Sequence, residues 1–540
     1  MVKTLGYLML VLVVVSLAAC QGDASPQPTT DDSPTAASRP VERAAPTQET
    51  AAPPAAAAPT VAPLPPDASA GDWDDRELFR AGLVSAAQSV LEELPGASVY
   101  RIELTIPPDF RVLDGRQQVW YTNRESGPLN EIYFQLFPNV AGGRTTIETL
   151  QVDGQDVTPV YEFGDSALRV TLPDVLLPGE SAVVQMDYAV EVAQEMAGNY
   201  GLFGYFDGVL VLDGFYPVIP VYDSVGTRVE PAGGWNVKDP APNGDVTYFD
   251  ASFYRVQVTA PAALTLVASG IEVERANAGK TQFVTFAAGP ARDFYLAACD
   301  DYVVFSATVG ETTVNSYALP EQEEHARLAL HVAVDALESF GQRFGLYPYT
   351  EFDVAGTPMR ALGIEYPGMT GIALGLYDPQ ARVSGLPTAV MLESTVAHEV
   401  GHQWFYNVVG NDQVDAPWLD EAVVQYLTGL YFRDVYGEDA EQSYRESWHG
   451  RWERVDRAEI PIGLPAGEYD RREYGAIVYG RGPLFVAALE EEMGRETFDR
   501  FLRDYYQTHL WGIGKEEAFR ELAEQHCRCD LTALFEAWVY

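Results

Sequence analysis

The chain is 540 residues long, with 35 Lys and Arg against 78 Asp and Glu, for a formal net charge of −43. At 47% hydrophobic and 21% charged residues, its composition is that of a folded protein, not a disordered one, and its length allows two or three domains. The acidity excludes nucleic acid as a partner, because phosphate binding needs clustered cations, and the lysines Lys3, Lys238, Lys280 and Lys515 form no basic run.

Residues 1–20 read as an export signal. Lys3 supplies a positive start, and Leu5 to Leu17 form an apolar run too short to span a bilayer. The run ends in Leu17-Ala18-Ala19-Cys20, which resembles the bacterial lipobox, so Cys20 is the expected lipidation site and the membrane an expected partner through that anchor. Residues 21–74 are rich in Ala and Pro and poor in core-forming side chains, the composition of a disordered tether. Of the other thiols, Cys299, Cys527 and Cys529, at least one must stay unpaired, and Cys527-Arg-Cys529 lacks the C-x-x-C spacing of zinc or redox sites.

Two globular regions follow, at 75–300 and 301–540. A short helical lead-in is expected at Asp75 to Leu94. Beyond it, Tyr100, Ile102, Leu104 and Ile106 alternate with polar residues, as do Tyr254, Val256 and Val258. Alternation of period two is that of half-buried strands. Asp114-Gly115, Asp153-Gly154 and Pro178-Gly179 read as turns between them, and the region as an antiparallel all-β domain. Near Pro320 the period becomes 3.6: Leu330, Val334, Leu337 and Phe344 share one helix face. Short strands between Glu351 and Leu376 and at least five further helices complete a mainly helical second domain, so the fold class is α+β.

Residues 398–402 read His398-Glu399-Val400-Gly401-His402, inside a stretch from Glu393 to Tyr406 that suits a helix. Four residues apart on one helix face, both imidazoles reach one metal, and Glu399 faces the water that the metal holds. A chain of this composition is expected to contain such a pattern by chance roughly 0.013 times. A catalytic zinc needs a third protein ligand and an open fourth position. Glu421, in Trp418-Leu419-Asp420-Glu421 just after Pro417, sits in the first turn of the next helix and can supply it.

H-E-x-x-H, eighteen residues and E within W-L-D-E resemble the signature of the M1 family of zinc aminopeptidases, the gluzincins. The runs His402-Gln403-Trp404-Phe405 and Val409-Gly410-Asn411-Asp412-Gln413 are similar to its bacterial branch. Gly363-Ile364-Glu365-Tyr366-Pro367 resembles the G-x-M-E-N exopeptidase motif, with Ile for Met and Tyr for Asn. Tyr479-Gly480-Arg481-Gly482 resembles Y-x-K-G, with Arg for Lys. The likeness spans nearly all of residues 98–540 and implies a thermolysin-like catalytic domain after the β-domain, without the C-terminal domains of larger members.

The resemblance implies one Zn²⁺ per chain on His398, His402 and Glu421, with Glu399 as general base and Tyr479 as donor to the oxyanion. Glu365 would bind the free α-amine of peptide substrates, and Gly363 would lie along the substrate strand. Family members add a second amine anchor from the β-domain; the corresponding stretch here, Leu212 to Asp223, offers no assignable residue. The activity expected is removal of N-terminal residues from peptides at the outer face of a bacterial membrane. Alternatives are a zinc endopeptidase or other zinc hydrolase of this fold, and a peptide-binding lipoprotein without catalysis. His325, His331, His449, His509 and His526 read as packing or surface residues.

Overall fold

The computed structural model describes residues 73–198, 200–223, 233–241, 243–245 and 247–540. The export signal, Cys20 and nearly all of the tether lie outside them. Trp73, assigned above to the tether, is half-buried, with the Arg101 guanidinium 3.8 Å above its ring.

The N-terminal domain is built on an eight-stranded sheet. From edge to edge its strands are Ile271–Ala278, Thr281–Ala291, Ser252–Pro261, Val99–Thr105, Val112–Thr122, Ser181–Glu191, Arg144–Val152 and Gln155–Asp156. The period-two residues Tyr100, Ile102, Leu104, Tyr254, Val256 and Val258 are all buried. The sheet is not wholly antiparallel as expected: Val99–Thr105 pairs parallel with Ser252–Pro261, Tyr100 opposite Tyr254. More than a hundred residues separate the two strands, enough for the crossover that parallel neighbours require. Their rings stack with centroids 4.8 Å apart.

Asp153-Gly154 and Pro178-Gly179 are turns with left-handed backbone, Gly154 at φ 76° and Gly179 at φ 84°. Asp114-Gly115 is not a turn. It lies inside the Val112–Thr122 strand, where a Cβ on Gly115 would sit 2.3 Å from the Tyr188 ring of the neighbouring strand. Gly115 is therefore a packing glycine, admitting an aromatic side chain across the sheet. The lead-in is also broken: 3₁₀ turns at Glu77–Gly82 and Ser85–Ala87 precede a single α-turn, Val90–Glu93. Extended Leu83 interrupts it by bridging to Tyr349, and Phe79, Leu83 and Leu91 join a core that spans both domains.

The second domain opens with a five-stranded sheet, ordered Val303–Val309, Thr312–Ala318, Glu351–Thr357, Met369–Ala373 and Gly363–Tyr366. Helix Glu323–Phe344 buries Leu330, Leu337 and Phe344 as the 3.6 period predicts. The edge strand Gly363–Tyr366 lies at the domain junction. Ile364 and Tyr366 belong to the β-domain core, so by strand alternation Gly363 and Glu365 face the other way, towards the helix Thr388–Gly401.

Candidate active site

Helix Thr388–Gly401 carries His398 and Glu399. It stops at Gly401, five residues short of the Tyr406 end expected above. Gly401 packs so closely on the next helix that a Cβ would lie 2.8 Å from Val424. The chain then tightens, with Gln403 N donating to Val400 O and Trp404 N to Gly401 O, and Tyr406 takes φ 129°. His402 keeps helical backbone as the cap residue, so its ring still stands beside that of His398, with centroids 4.7 Å apart.

Helix Trp418–Tyr436 brings in Glu421 from its first turn. Glu421 Oε2 lies 3.1 Å from His398 Nε2 and 3.6 Å from His402 Nε2. All three side chains are buried, with one ligand atom of each within 4.8 Å of the others. His402 Nδ1 is 3.1 Å from Phe405 O, so it donates there and leaves the Nε2 lone pair facing the cluster. Two nitrogens and one carboxylate, desolvated and converging, fit a zinc ion with a position left open.

The charges are tuned accordingly. Burial drives His398 down to about 4, keeping its imidazole neutral. Burial alone would push Glu421 up, but hydrogen bonds with His398 and His402 hold it far below the carboxylate range. Glu399 is driven well above that range by burial and then by Glu365.

Glu365 lies 4.0 Å from His402 Nδ1 and is not solvent-facing. Gln413 Nε2 donates to Glu365 Oε1 at 2.8 Å and to Asp420 Oδ2 at 2.8 Å. Gln403 ties down the adjoining turn: its Nε2 donates to Tyr366 O at 2.9 Å, and its Oε1 accepts from Gly368 N at 3.0 Å. Sequence reasoning quoted both glutamines without giving either a role; only their long-range partners reveal one. Gly363 lies directly under the Glu399 carboxylate. Tyr479, on the π-helical turn Ile477–Arg481, donates its O–H to Glu421 Oε1. Arg481 is turned away, donating to the carbonyls of Ile460, Ala537 and Trp538.

Within the Leu212 to Asp223 stretch, Asp223 pairs with Lys515 at 2.6 Å, whereas Asp213 lines the same small cavity as Glu365 and Tyr366. The other histidines stay apart from the site: His325 and His509 bind backbone carbonyls, and His526 pairs with Asp504. Cys527 and Cys529 are disulfide-bonded, and Cys299 is a buried free thiol.

The model of the peptidase family M1 domain matches residues 328–538. Aminopeptidase 2 of Candida albicans is 23% identical over 403 residues, 73% of this chain and 42% of that protein. Aminopeptidase M1 of Arabidopsis thaliana is 26% identical over 408 residues, 71% of this chain and 45% of that protein. The chain thus spans less than half the length of these relatives. An M1 zinc metallopeptidase from Deinococcus radiodurans, in a mutant form, superposes with a TM-score of 0.59 at 23% identity, covering 82% of this chain and 94% of that one. A mutant of the same enzyme bound to a Tyr-Ser-Ala substrate gives 0.58 at 22% identity, covering 82% and 93%. These neighbours share the two-domain fold, an N-terminal sheet-rich domain followed by a mainly helical one. The His398–Glu421 spacing thus lies inside the segment, residues 328–538, that matches the peptidase family M1 domain.

Proposed function

We propose that the protein is a zinc-dependent aminopeptidase. The observation that carries this reading is the convergence of His398, His402 and Glu421 in one buried cluster, with Glu399 and Glu365 beside it. The relatives named above are aminopeptidases, and one neighbour was captured with a tripeptide. His398 Nε2, His402 Nε2 and a Glu421 oxygen would hold the ion. When bound, zinc polarises the scissile carbonyl and acidifies the attacking water.

The remaining chemistry belongs to the side chains. Glu399 takes the proton of the attacking water and returns it to the leaving amine. Its burial, which favours the protonated form, suits the second half of that cycle. Glu365 receives the α-ammonium, so a blocked terminus leaves a desolvated carboxylate unpaired; that penalty selects free N-termini. The Gln413 amide fixes the Glu365 carboxylate for that contact. Tyr479 leaves Glu421 to donate its O–H where negative charge develops on the carbonyl oxygen.

The reading includes export and lipidation at Cys20, supported by Lys3, the apolar run and Leu17-Ala18-Ala19-Cys20. Among the described residues no helix is long and apolar enough to cross a membrane. Peptides outside the cell would then be the substrates. The deciding experiment compares free-amine aminoacyl substrates with their N-acetyl counterparts, each with and without a chelator. Chelator-sensitive cleavage of the free-amine set alone is expected. Equal cleavage of both sets would rule out the exopeptidase reading, and chelator-resistant cleavage would rule out zinc.

A further inference from the structure

The turn that carries Tyr479 is held by a residue that the reaction above does not use. Gly480, Gly482 and Pro483 follow the tyrosine closely in sequence. In a continuous α-helix the Tyr479 carbonyl would accept from residue 483, but Pro483 has no N–H to give. Arg451 donates there instead, from the last turn of helix Glu438–Trp452, with Nη1 3.0 Å from Tyr479 O. The same Nη1 donates to Gln425 Oε1 at 2.9 Å. Gln425 is buried and lies one turn after the ligand Glu421 on helix Trp418–Tyr436. Two glycines let the turn settle onto these helices. A Cβ on Gly480 would lie 2.9 Å from the Arg451 Cβ, and one on Gly482 would lie 2.6 Å from the Cβ of Ala422, the neighbour of Glu421.

Resting on the aminopeptidase reading, we propose that Arg451 is the positioning residue for Tyr479: it pins the π-helical turn to the helix of Glu421, so that the phenol is aimed at the oxyanion. Tyr479 has to exchange its contact with Glu421 for one with the carbonyl oxygen, and a side chain that moves keeps its aim only on a fixed backbone. Arg481, the cation of the motif itself, is turned away to Ile460, Ala537 and Trp538 and cannot fix it. Arg451 can, because its second acceptor is itself immobile. The Tyr444 hydroxyl donates to the same Gln425 Oε1 at 2.8 Å, and Gln425 Nε2 lies 3.3 Å from His398 Nδ1. Both hydrogens of Nη1 are thus spent on neutral acceptors, and the guanidinium charge strengthens each bond. Neither acceptor is a metal ligand. Loss of Arg451 leaves Gln425 in the grip of Tyr444 and leaves Thr428 Oγ1 3.5 Å from His398 Nδ1, so the oxyanion donor should suffer and the metal site should not.

The test uses Arg451→Met on the zinc-loaded full chain, a change that keeps an apolar stem against Gly480 and removes the donors. With free-amine aminoacyl anilides, kcat is expected to fall by about 10–100-fold with KM little changed. In a Tyr479→Phe background the same substitution should alter kcat by less than about twofold, because no hydroxyl is left to place. The phosphonic acid analogue of leucine, whose tetrahedral oxygens stand where the oxyanion would form, should bind Arg451→Met about 10–100-fold more weakly than wild type by calorimetry. Chelator competition should show unaltered zinc affinity. An equal loss of kcat in both backgrounds would make Arg451 a brace of the fold and overturn the proposal. Equal phosphonate affinity, or weaker zinc binding, would overturn it as well. If the wild type cleaves no free-amine substrate, the aminopeptidase reading fails, while the phosphonate comparison, which needs no turnover, still decides whether Arg451 places Tyr479.

Discussion

A Cβ placed on Gly363 would lie 2.4 Å from Oε1 of Glu399. The glycine is needed for what it lacks: the Glu399 carboxylate rests on bare backbone of the edge strand, which sets its height above the metal ligands. Gly363→Ala must push Glu399 or the strand aside. Since small misplacements of a reacting group can cost about 10²-fold, kcat is expected to fall by about that factor with zinc content unchanged. Metal analysis beside steady-state kinetics checks this, and wild-type kcat in the alanine variant would show that Glu399 is not held there.

Glu399 and Glu421 stand beside the same histidines yet should fail differently. Glu399→Gln removes the base and should abolish hydrolysis while leaving one zinc per chain. Glu421→Gln removes a ligand, so both zinc and activity should be lost. Tyr479→Phe should reduce kcat by about 10²–10³-fold with little change in KM, as expected of a donor that acts on developing charge. Elemental analysis of the three variants separates these roles. Zinc lost from Glu399→Gln, or retained at full affinity in Glu421→Gln, would reverse the assignment.

What could be read from the sequence was what neighbouring residues settle. The Tyr100–Ile106 alternation, the His398–His402 spacing and the position of Glu421 after Pro417 are all local, and each occupies the kind of element its pattern implies. What could not be read depends on distant partners. Gly115 has the look of a turn residue until Tyr188 is laid across it. Gly401, at the end of the helix that carries His398, is fitted to Val424 on the next helix, and Tyr100 pairs in parallel with Tyr254 from far along the chain. Asp293 carries no motif; its exposure to the Glu365 cavity emerges only when both domains are folded together.

An acidic pair outside the site, Asp353 buried and Glu351 half-buried, predicts a pH effect on stability. Burial and the Glu272 charge raise Glu351 to about 7. Asp353, two residues along the same strand, is also raised, although Asn315 donates to it at 2.9 Å. A carboxyl whose folded pKa is raised holds its proton in the native state after the unfolded chain has released it. Stability from this group is therefore fully present below 4.5 and declines as pH rises to about 7, by up to about 1.4 kcal/mol per pH unit. Glu351→Gln should flatten that part of the profile and melt higher than wild type at pH 8. Parallel melting curves at pH 5 and pH 8 check it; an unchanged slope in the variant would place the effect elsewhere.

The loop after His402 is held from the β-domain. Arg292 donates to Tyr406 O at 2.7 Å and to Val408 O at 3.2 Å, and a Cβ on Gly410 would lie 2.2 Å from its Cζ. Phe405, in the same loop, supplies the carbonyl that orients His402 Nδ1 at 3.1 Å. Lysine cannot reproduce the planar fork that meets four carbonyls at once, so Arg292→Lys leaves buried acceptors unsatisfied and should cost on the order of 3 kcal/mol. Because the loop also aims a zinc ligand, the same change should weaken zinc binding by about 10–100-fold, as loss of an outer hydrogen bond to a ligating histidine does. Denaturant unfolding and chelator competition measure the two effects separately. Lower stability with unaltered zinc affinity would show that Arg292 braces the domain junction without reaching the metal site, and Gly410→Ala, which crowds the same guanidinium, should then follow Arg292→Lys in stability alone.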